Sequence, residues 1–201
     1  MGEKPNVIMM YGYPATGKTF LAKKLENFLS KKYKVASIAT LDFRKKLNLF
    51  DLESEEQREM VYNFTAEKIA EELNKKYYDI IIIDGNFNKK SRREKIYSII
   101  WESEIYLIHC FVSNEEIIKE RMEKRQKEKE LPENKASTME LYHLIKYLGE
   151  DINGDEIIAS GRANLILFNS EKNVVEHSNF DEASKNRDLA REIISICENN
   201  S

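Results

Sequence analysis

The 201-residue sequence predicts an α/β fold in which a parallel sheet is sandwiched by helices. Three observations carry this expectation. Short apolar, β-branched runs alternate with longer stretches of helical periodicity, the pattern of strands joined by crossover helices. The most apolar run, Tyr78-Asp79-Ile80-Ile81-Ile82-Ile83-Asp84, lacks polar alternation, as a central parallel strand buried on both faces does. Between the first strand and the first helix lies a glycine-bearing stretch, Gly12-Tyr13-Pro14-Ala15-Thr16-Gly17-Lys18-Thr19.

Taken in order, residues 7–11 read as the first strand. Leu21, Leu25, Phe28 and Leu29 then recur at i, i+4, i+7 and i+8, an apolar helical stripe ending near residues 30–33. Residues 35–40 form a second strand, and helical composition resumes after Arg44. Residues 54–76 make one long helix with Ala66, Ile69, Ala70 and Leu73 on one face, opened by a Ser54/Gln57 capping box. The isoleucine run is the third strand. Asn88 caps a helix reaching about Trp101, residues 105–112 are a fourth strand, and Ser113 or Asn114 caps a helix bearing Ile117, Ile118 and Met122.

From Glu123 to Lys135 the composition turns charged and nearly free of apolar residues, which marks a mobile insert placed at 121–138. Residues 137–148 are helical again, 149–161 are loop-like, and Leu165 to Phe168 is a short fifth strand. A final helix, about 181–197, carries Leu189, Ile193, Ile196 and Cys197 on one face. With no internal repeat, residues 1–201 read as a single domain.

Composition narrows the function classes. A net charge of −3 argues against a broad basic surface that coats nucleic acid, though not against a local basic groove. Cys110 and Cys197 lie far apart within apolar patterns and read as buried, reduced thiols without ligand spacing. No apolar run approaches the ~20 residues of a membrane helix, and the first residues lack the build of a secretion signal. The expectation is a cytoplasmic protein with no membrane contact.

Right-handed crossovers place the C-terminal ends of all parallel strands along one edge, where such sheets bind ligands. The stretch from Gly12 to Thr19 matches G-x-x-x-x-G-K-[ST] at every fixed position. Its strand–loop–helix setting turns backbone N–H groups and a helix N-terminus toward an anion. Gly12, Pro14, Ala15, Thr16, Gly17, Lys18 and Thr19 are therefore expected to hold the phosphates of ATP. Lys18 reaches the β- and γ-phosphates, and the Thr19 hydroxyl ligates Mg²⁺.

Asp84 ends the isoleucine strand and is expected as the second Mg²⁺ residue; the alternative is a simple turn with Gly85. Asp42 is the expected base for an acceptor hydroxyl and Arg44 its anion-holding neighbour, although Asp42 could also cap the following helix. Arg121 and Arg125, spaced i, i+4, suit the spread charge of a transferring phosphoryl group; a solvated face with Arg125 paired to Glu128 is the plainer reading. Lys89, Lys90, Arg92 and Arg93 form a basic cluster, either gripping an acceptor phosphate or opening a helix. His109 reads as a core histidine, while His143 and His177 have no partners at useful spacing. Tyr13 could stack on substrate.

These residues resemble the P-loop kinases of the group containing polynucleotide 5′-hydroxyl kinases, zeta-toxin-like kinases and 6-phosphofructo-2-kinase, over about residues 7–148. The Gly12–Thr19 stretch is similar to their Gly-x-Pro-Ala-x-Gly-Lys-Ser/Thr loop. Asp84-Gly-Asn-Phe-Asn-Lys-Lys-Ser-Arg-Arg93 resembles their Asp-x-Asn segment with its paired arginine, which implies substrate roles for Asn86 and Arg93. Asp42-Phe43-Arg44 looks like their Asp-x-x-Arg acceptor motif shortened by one residue, and Arg121-x-x-x-Arg125 like their lid arginines. The resemblance implies a P-loop NTPase fold with a five-stranded sheet of order 2-3-1-4-5 and a closing lid. Hydrolytic motor ATPases of related type commonly place a glutamate after the strand-ending aspartate; here Gly85 follows.

The sequence thus points to an ATP-dependent kinase acting on a hydroxyl of a small-molecule or nucleotide-like acceptor. Lys18, Asp42, Arg121 and Arg125 are its catalytic residues, and Asp42, Arg44, Asn86 and Arg93 its acceptor residues. A polynucleotide 5′-hydroxyl kinase is one alternative, less favoured by the net charge. A nucleotide-switched ATP-binding module without an acceptor is the other.

Overall fold

The structure, a computed structural model, describes residues 4–51, 54–127, 138–152, 163–179 and 186–199. The chain runs β1 (Asn6–Tyr11), α1 (Lys18–Leu29), β2 (Val35–Ala39), α2 (Thr40–Leu47), α3 (Glu55–Lys75), β3 (Ile80–Asp84) and α4 (Lys90–Ile99). It continues through β4 (Ile105–Phe111), α5 (Glu115–Lys127), α6 (Met139–Tyr147), β5 (Ala163–Asn169), β6 (Val174–Ser178) and α7 (Arg187–Glu198).

The strands form one sheet of order β2-β3-β1-β4-β5-β6. The first five are parallel, with Val7 opposite both Ile81 and Ile105 and Leu107 opposite Leu165. The expected order is therefore observed, but the strand count is six. β6 pairs antiparallel to β5 after a tight turn, with a register irregularity between Leu167 and Phe168. Its short Val-Val-Glu-His-Ser sequence is mostly exposed and carries little apolar signal, which is why periodicity does not reveal it.

Strand geometry divides the core in two. Val7, Met9, Ile81, Ile83, Ile105 and Leu107 pack beneath α3 and α4 against Tyr62, Ala66, Ile69, Leu73, Ile96 and Ile100. Their neighbours Ile8, Met10, Ile80, Ile82, Tyr106 and Ile108 point the other way, onto Leu21, Leu25 and Leu29 of α1 and Leu189, Ile193 and Ile196 of α7. Each fully buried aliphatic side chain contributes roughly 1.5–3 kcal/mol over exposure, so strands apolar on both faces hold both helical layers. Cys110 and Cys197 are free, buried and packed in the second layer. Burial pushes the Cys197 thiol up to about 12, far from reactive ionisation.

Helix boundaries follow their caps. Ser54 Oγ accepts from Gln57 N at 3.2 Å, the capping start expected of α3. Two other expectations shift. Asn88 does not cap α4: the N-cap is Lys89, and the Lys90 N–H donates to Glu150 Oε2 at 2.6 Å, from the segment after α6. Asn88 Nδ2 donates instead to Ile145 O at 3.2 Å. The last helix starts at Arg187 with Asn186 as its N-cap; residues 181–185 lie outside the described residues. Of the expected insert at 121–138, residues 121–127 end α5 and Thr138 caps α6, while 128–137 lie outside the described residues.

Asn186 Oδ1 accepts from Leu189 N at 3.1 Å, so Asn186→Ala should cost about 1 kcal/mol. A thermal melt would show it as a drop of roughly 2–4 °C for a chain of this size.

Candidate functional site

At the end of β1 the chain must turn sharply over the sheet edge. Gly12 does this with φ 140°, and a Cβ there would sit 2.3 Å from Cys110 O of β4. Gly17, at φ 90°, is the N-cap of α1 and offers no side-chain cap. The first N–H groups of α1 are thereby left to face an anion, with the helix dipole behind them. Thr16 Oγ1 and Lys18 Nζ both donate to Tyr13 O, at 2.8 and 2.6 Å, which closes the loop on itself. Burial pulls the Lys18 ammonium down to about 8, against the opposing pull of Asp84.

β3 delivers Asp84 to the same place. Its carboxylate is 7% exposed and accepts a hydrogen bond from the Thr19 hydroxyl. Burial raises its pKa, the Thr19 bond and the Lys18 charge oppose that, and the charge of Asp42 adds to it. A hydroxyl and a carboxylate beside a phosphate loop are the hard oxygen donors that Mg²⁺ takes, with substrate phosphates completing its shell. Among the described residues no group of three or more His, Cys, Asp or Glu side chains gathers to hold a metal, so a protein-only cage is absent there.

A cavity of about 370 Å³ opens from the loop. Pro14, Ala15, Gly17, Lys18, Thr19, Asp84, Asn86 and Arg125 line its near side. Thr40, Leu41, Arg44 and Lys45 of α2, Arg58 and Tyr62 of α3, and Lys89 and Arg92 line the far side. Met122, Leu141, Tyr142, Ile145 and Leu148 supply an apolar wall. Asp84 is the single carboxylate among these lining residues.

The far wall is built on Glu55. Its carboxylate accepts from Arg58 Nη2 at 2.5 Å, Arg92 Nη2 at 2.9 Å and Lys89 Nζ. Partial burial would raise its pKa, but these three donors outweigh that and hold it near 2. Arg92 also donates to Glu59 at 2.8 Å and lies 4.4 Å over the Tyr62 ring.

The expected site residues separate. Lys18, Thr19, Asp84, Asn86, Arg44 and Arg125 converge on the cavity. Asp42 is exposed in the first turn of α2 rather than capping it, and unlike Thr40, Leu41 and Arg44 it is not among the residues lining the cavity, although its charge acts on Asp84. Arg121 turns away: Nη1 donates to Ala15 O at 3.0 Å and Ser170 Oγ at 2.9 Å, and Nη2 to Ser170 O at 3.0 Å. It ties the phosphate loop to the β5–β6 turn. Arg93 is fully buried, donating to Phe87 O at 2.9 Å and stacking 5.2 Å from Tyr11, while its neighbour Arg92 reaches the cavity.

Tyr13 donates to Asp151 Oδ1 at 3.2 Å and packs edge-on to Tyr142, tying the loop to α6. His109 packs between the rings of Tyr11 and Phe111, and burial lowers it to about 4, so it stays neutral. Arg58 and Tyr62 escaped the sequence reading. Their signal was an arginine set on the buried face of α3, in line with Val61, Thr65 and Ile69.

Comparison with known proteins bears on this arrangement. A family model described as chromatin associated protein KTI12 matches residues 6–151, from the first strand through the segment that caps α4. The chain belongs to the KTI12 family. Of solved structures, Kti12 from Chaetomium thermophilum, in complex with ADP-AlF3, is similar at 18% identity and a TM-score of 0.61, covering 94% of this chain and 98% of that one. A sugar kinase from a Janibacter species is similar at 17% identity and 0.56, covering 81% and 85%. A gluconokinase from Sinorhizobium meliloti is similar at 16% identity and 0.52, covering 97% and 93%. A search of curated proteins returned no match. These likenesses show a P-loop, kinase-like fold. No helix among the described residues is long and apolar enough to cross a membrane.

Two outcomes follow from this geometry. Gly12→Ala should cost on the order of 1–3 kcal/mol from backbone strain alone, with further loss from the clash at Cys110 O. Its denaturation midpoint should fall and fluorescent-nucleotide binding with it. Because Glu55 is held near 2 against an ordinary 4.5, its stabilisation is complete above about pH 4.5 and fades toward pH 2. The difference in urea midpoint between the native protein and Glu55→Gln should narrow over that window.

Proposed function

We propose that the chain is an ATP-dependent phosphotransferase that moves the γ-phosphoryl group to a hydroxyl of a small-molecule or nucleotide-like acceptor. One observation carries the reading: a single cavity joins the phosphate loop to a second, separately built polar wall on α2, α3 and α4. A hydrolase needs room only for water beside its phosphates, whereas a transferase needs a second chamber. The absence of a carboxylate directly after Asp84, where Gly85 stands, favours the same conclusion.

In this mechanism the loop amides and Lys18 hold the β- and γ-phosphates of ATP. Lys18 leaves Tyr13 O to do so, exchanging a neutral acceptor for charged oxygens. Thr19 and Asp84 would hold Mg²⁺, which would supply charge neutralisation for the phosphates. Asp42, in the first turn of α2, takes the proton of the acceptor hydroxyl as its oxygen bonds to the γ-phosphorus and the bridging oxygen leaves with ADP. Arg125 meets the equatorial oxygens from the near side. Arg121 keeps the loop in shape from behind through Ala15 O. Asn86 and Arg44 position the acceptor, with Arg92 taking the part expected of Arg93.

A second reading has support in the family match. In a KTI12-type protein the bound nucleotide would set affinity for a macromolecular partner, and turnover would not answer to any small acceptor. A panel of hydroxyl acceptors, including a 5′-hydroxyl oligonucleotide, assayed for ADP release with Lys18→Ala as blank, separates the two. Stimulated release supports transfer; a flat response across the panel supports the switched module. With a responding acceptor, Asp42→Asn should lower turnover by roughly 10²–10⁴ while ATP affinity stays nearly intact. Unchanged turnover would remove Asp42 from the base role.

A further inference from the structure

The phosphate loop is not held by its own bonds alone. Ala15, at its centre, has φ 62°, a left-handed conformation that a residue with a side chain keeps only under outside constraint. Within the loop, the Tyr13 carbonyl is the common acceptor for the Thr16 hydroxyl and the Lys18 ammonium. Lys18 leaves that set once it turns to phosphate oxygens. The carbonyl then keeps the Thr16 hydroxyl and a long 3.4 Å bond from the Thr16 N–H. A loop that gives up a strong tie as it binds needs another hold on the same residue.

The Tyr13 side chain supplies that hold. Its hydroxyl donates to Asp151 Oδ1 at 3.2 Å, from the far side of the sequence. Tyr11, which ends β1, donates to the same oxygen at 3.3 Å, so one carboxylate receives the residues on both sides of Gly12. A Cβ at Gly149 would lie 2.7 Å from the Tyr13 hydroxyl, so glycine lets the backbone after α6 press against the ring. Glu150, between them, binds elsewhere. Its N–H donates to Asn88 O at 2.7 Å, and its carboxylate accepts from the Lys90 N–H at 2.6 Å. The three-residue strap is thus fixed to the start of α4 at its middle and to Tyr13 at both ends.

We infer that Asp151 is a positioning residue for nucleotide binding, which through the Tyr13 hydroxyl holds the phosphate loop in the shape that receives the β- and γ-phosphates. Neither Tyr13 nor Asp151 is among the residues lining the cavity, so their effect on nucleotide passes through the loop backbone. A loop ordered beforehand loses less freedom on binding, and the difference appears as affinity. The inference rests on nucleotide binding at the loop, which the transfer and switched-module readings share. It needs neither an acceptor nor turnover.

Titration of the full chain with a fluorescent ADP analogue and Mg²⁺, without any acceptor, tests this. Tyr13→Phe keeps the ring against Tyr142 and Gly149 and removes the hydroxyl, so nucleotide affinity should fall roughly three- to tenfold. Asp151→Ala should bind more weakly than Asp151→Asn by a similar factor. The two variants match in charge, but the asparagine oxygen still accepts from Tyr13. Adding Tyr13→Phe to Asp151→Ala should bring no further loss, because the shared bond has already gone. Glu150→Ala, which releases only the Lys90 N–H, should bind nucleotide as the native protein does. A merely structural pair would lower the melting temperature and leave the affinity of the folded protein unchanged. Native affinity in Tyr13→Phe, equal affinity in the two Asp151 variants, additive losses in the double variant, or an equal loss in Glu150→Ala overturns the assignment. The two readings fail separately. A native protein that binds no nucleotide would sink the nucleotide site itself, and Asp151 with it. Binding that depends on Tyr13 and Asp151, with no acceptor-stimulated ADP release, would leave the assignment standing and sink phosphotransfer.

Discussion

Asp84 is a charged group at the end of the least forgiving strand in the chain. The four isoleucines before it have no exposed surface, and the carboxylate itself is almost as deeply placed. A buried, unpaired carboxylate costs several kcal/mol, so the neighbourhood has to answer it. Thr19 answers with a hydroxyl and Lys18 with a charge, and both stand at the first turn of α1. That fixes where α1 begins relative to β3. The path from β1 to α1 must then be short, and only a glycine passes so close to the Cys110 carbonyl of β4. The phosphate loop is thus shaped by two demands at once, the electrostatics of β3 and the sterics of β4.

The parts of the structure with a strong local signal were readable in the residues. The isoleucine run, the loop and the Ser54 cap each combine composition and spacing that few other structures satisfy. The parts that were not readable depend on long-range contact. Arg92 and Arg93 are adjacent and chemically identical; only the rotation of α4 decides that one reaches the cavity and the other lies under Tyr11. The i, i+4 spacing of Arg121 and Arg125 places both on one helix face, yet Ser170 and Ala15 capture the first. No pattern within α5 contains that information. The cap of α4 comes from Glu150, some sixty residues away, so its start could not be fixed from neighbouring sequence.

Membership of the KTI12 family and likeness to sugar kinases describe the same scaffold from two directions. Phosphate loop and sheet order belong to the scaffold. The wall opposite the loop is assembled separately, from α2, α3 and α4 around the Glu55 carboxylate. The two halves share a cavity but few residues, so the loop and the opposite wall are built independently of each other.

The sixth strand has a bearing on how the molecule behaves among copies of itself. A parallel sheet ending at β5 would present the apolar Asn-Leu-Ile-Leu-Phe-Asn strand edge as a row of unpaired amides, a template for β-pairing between chains. β6 folds back to occupy that edge and puts a short, twisted, mostly exposed strand in its place. Glu176, held by Asn169 and Lys172, and the exposed His177 make it a poor surface for another strand to join. The antiparallel return is therefore a guard against aggregation at the edge beyond β5, achieved with five residues that contribute almost nothing to the core.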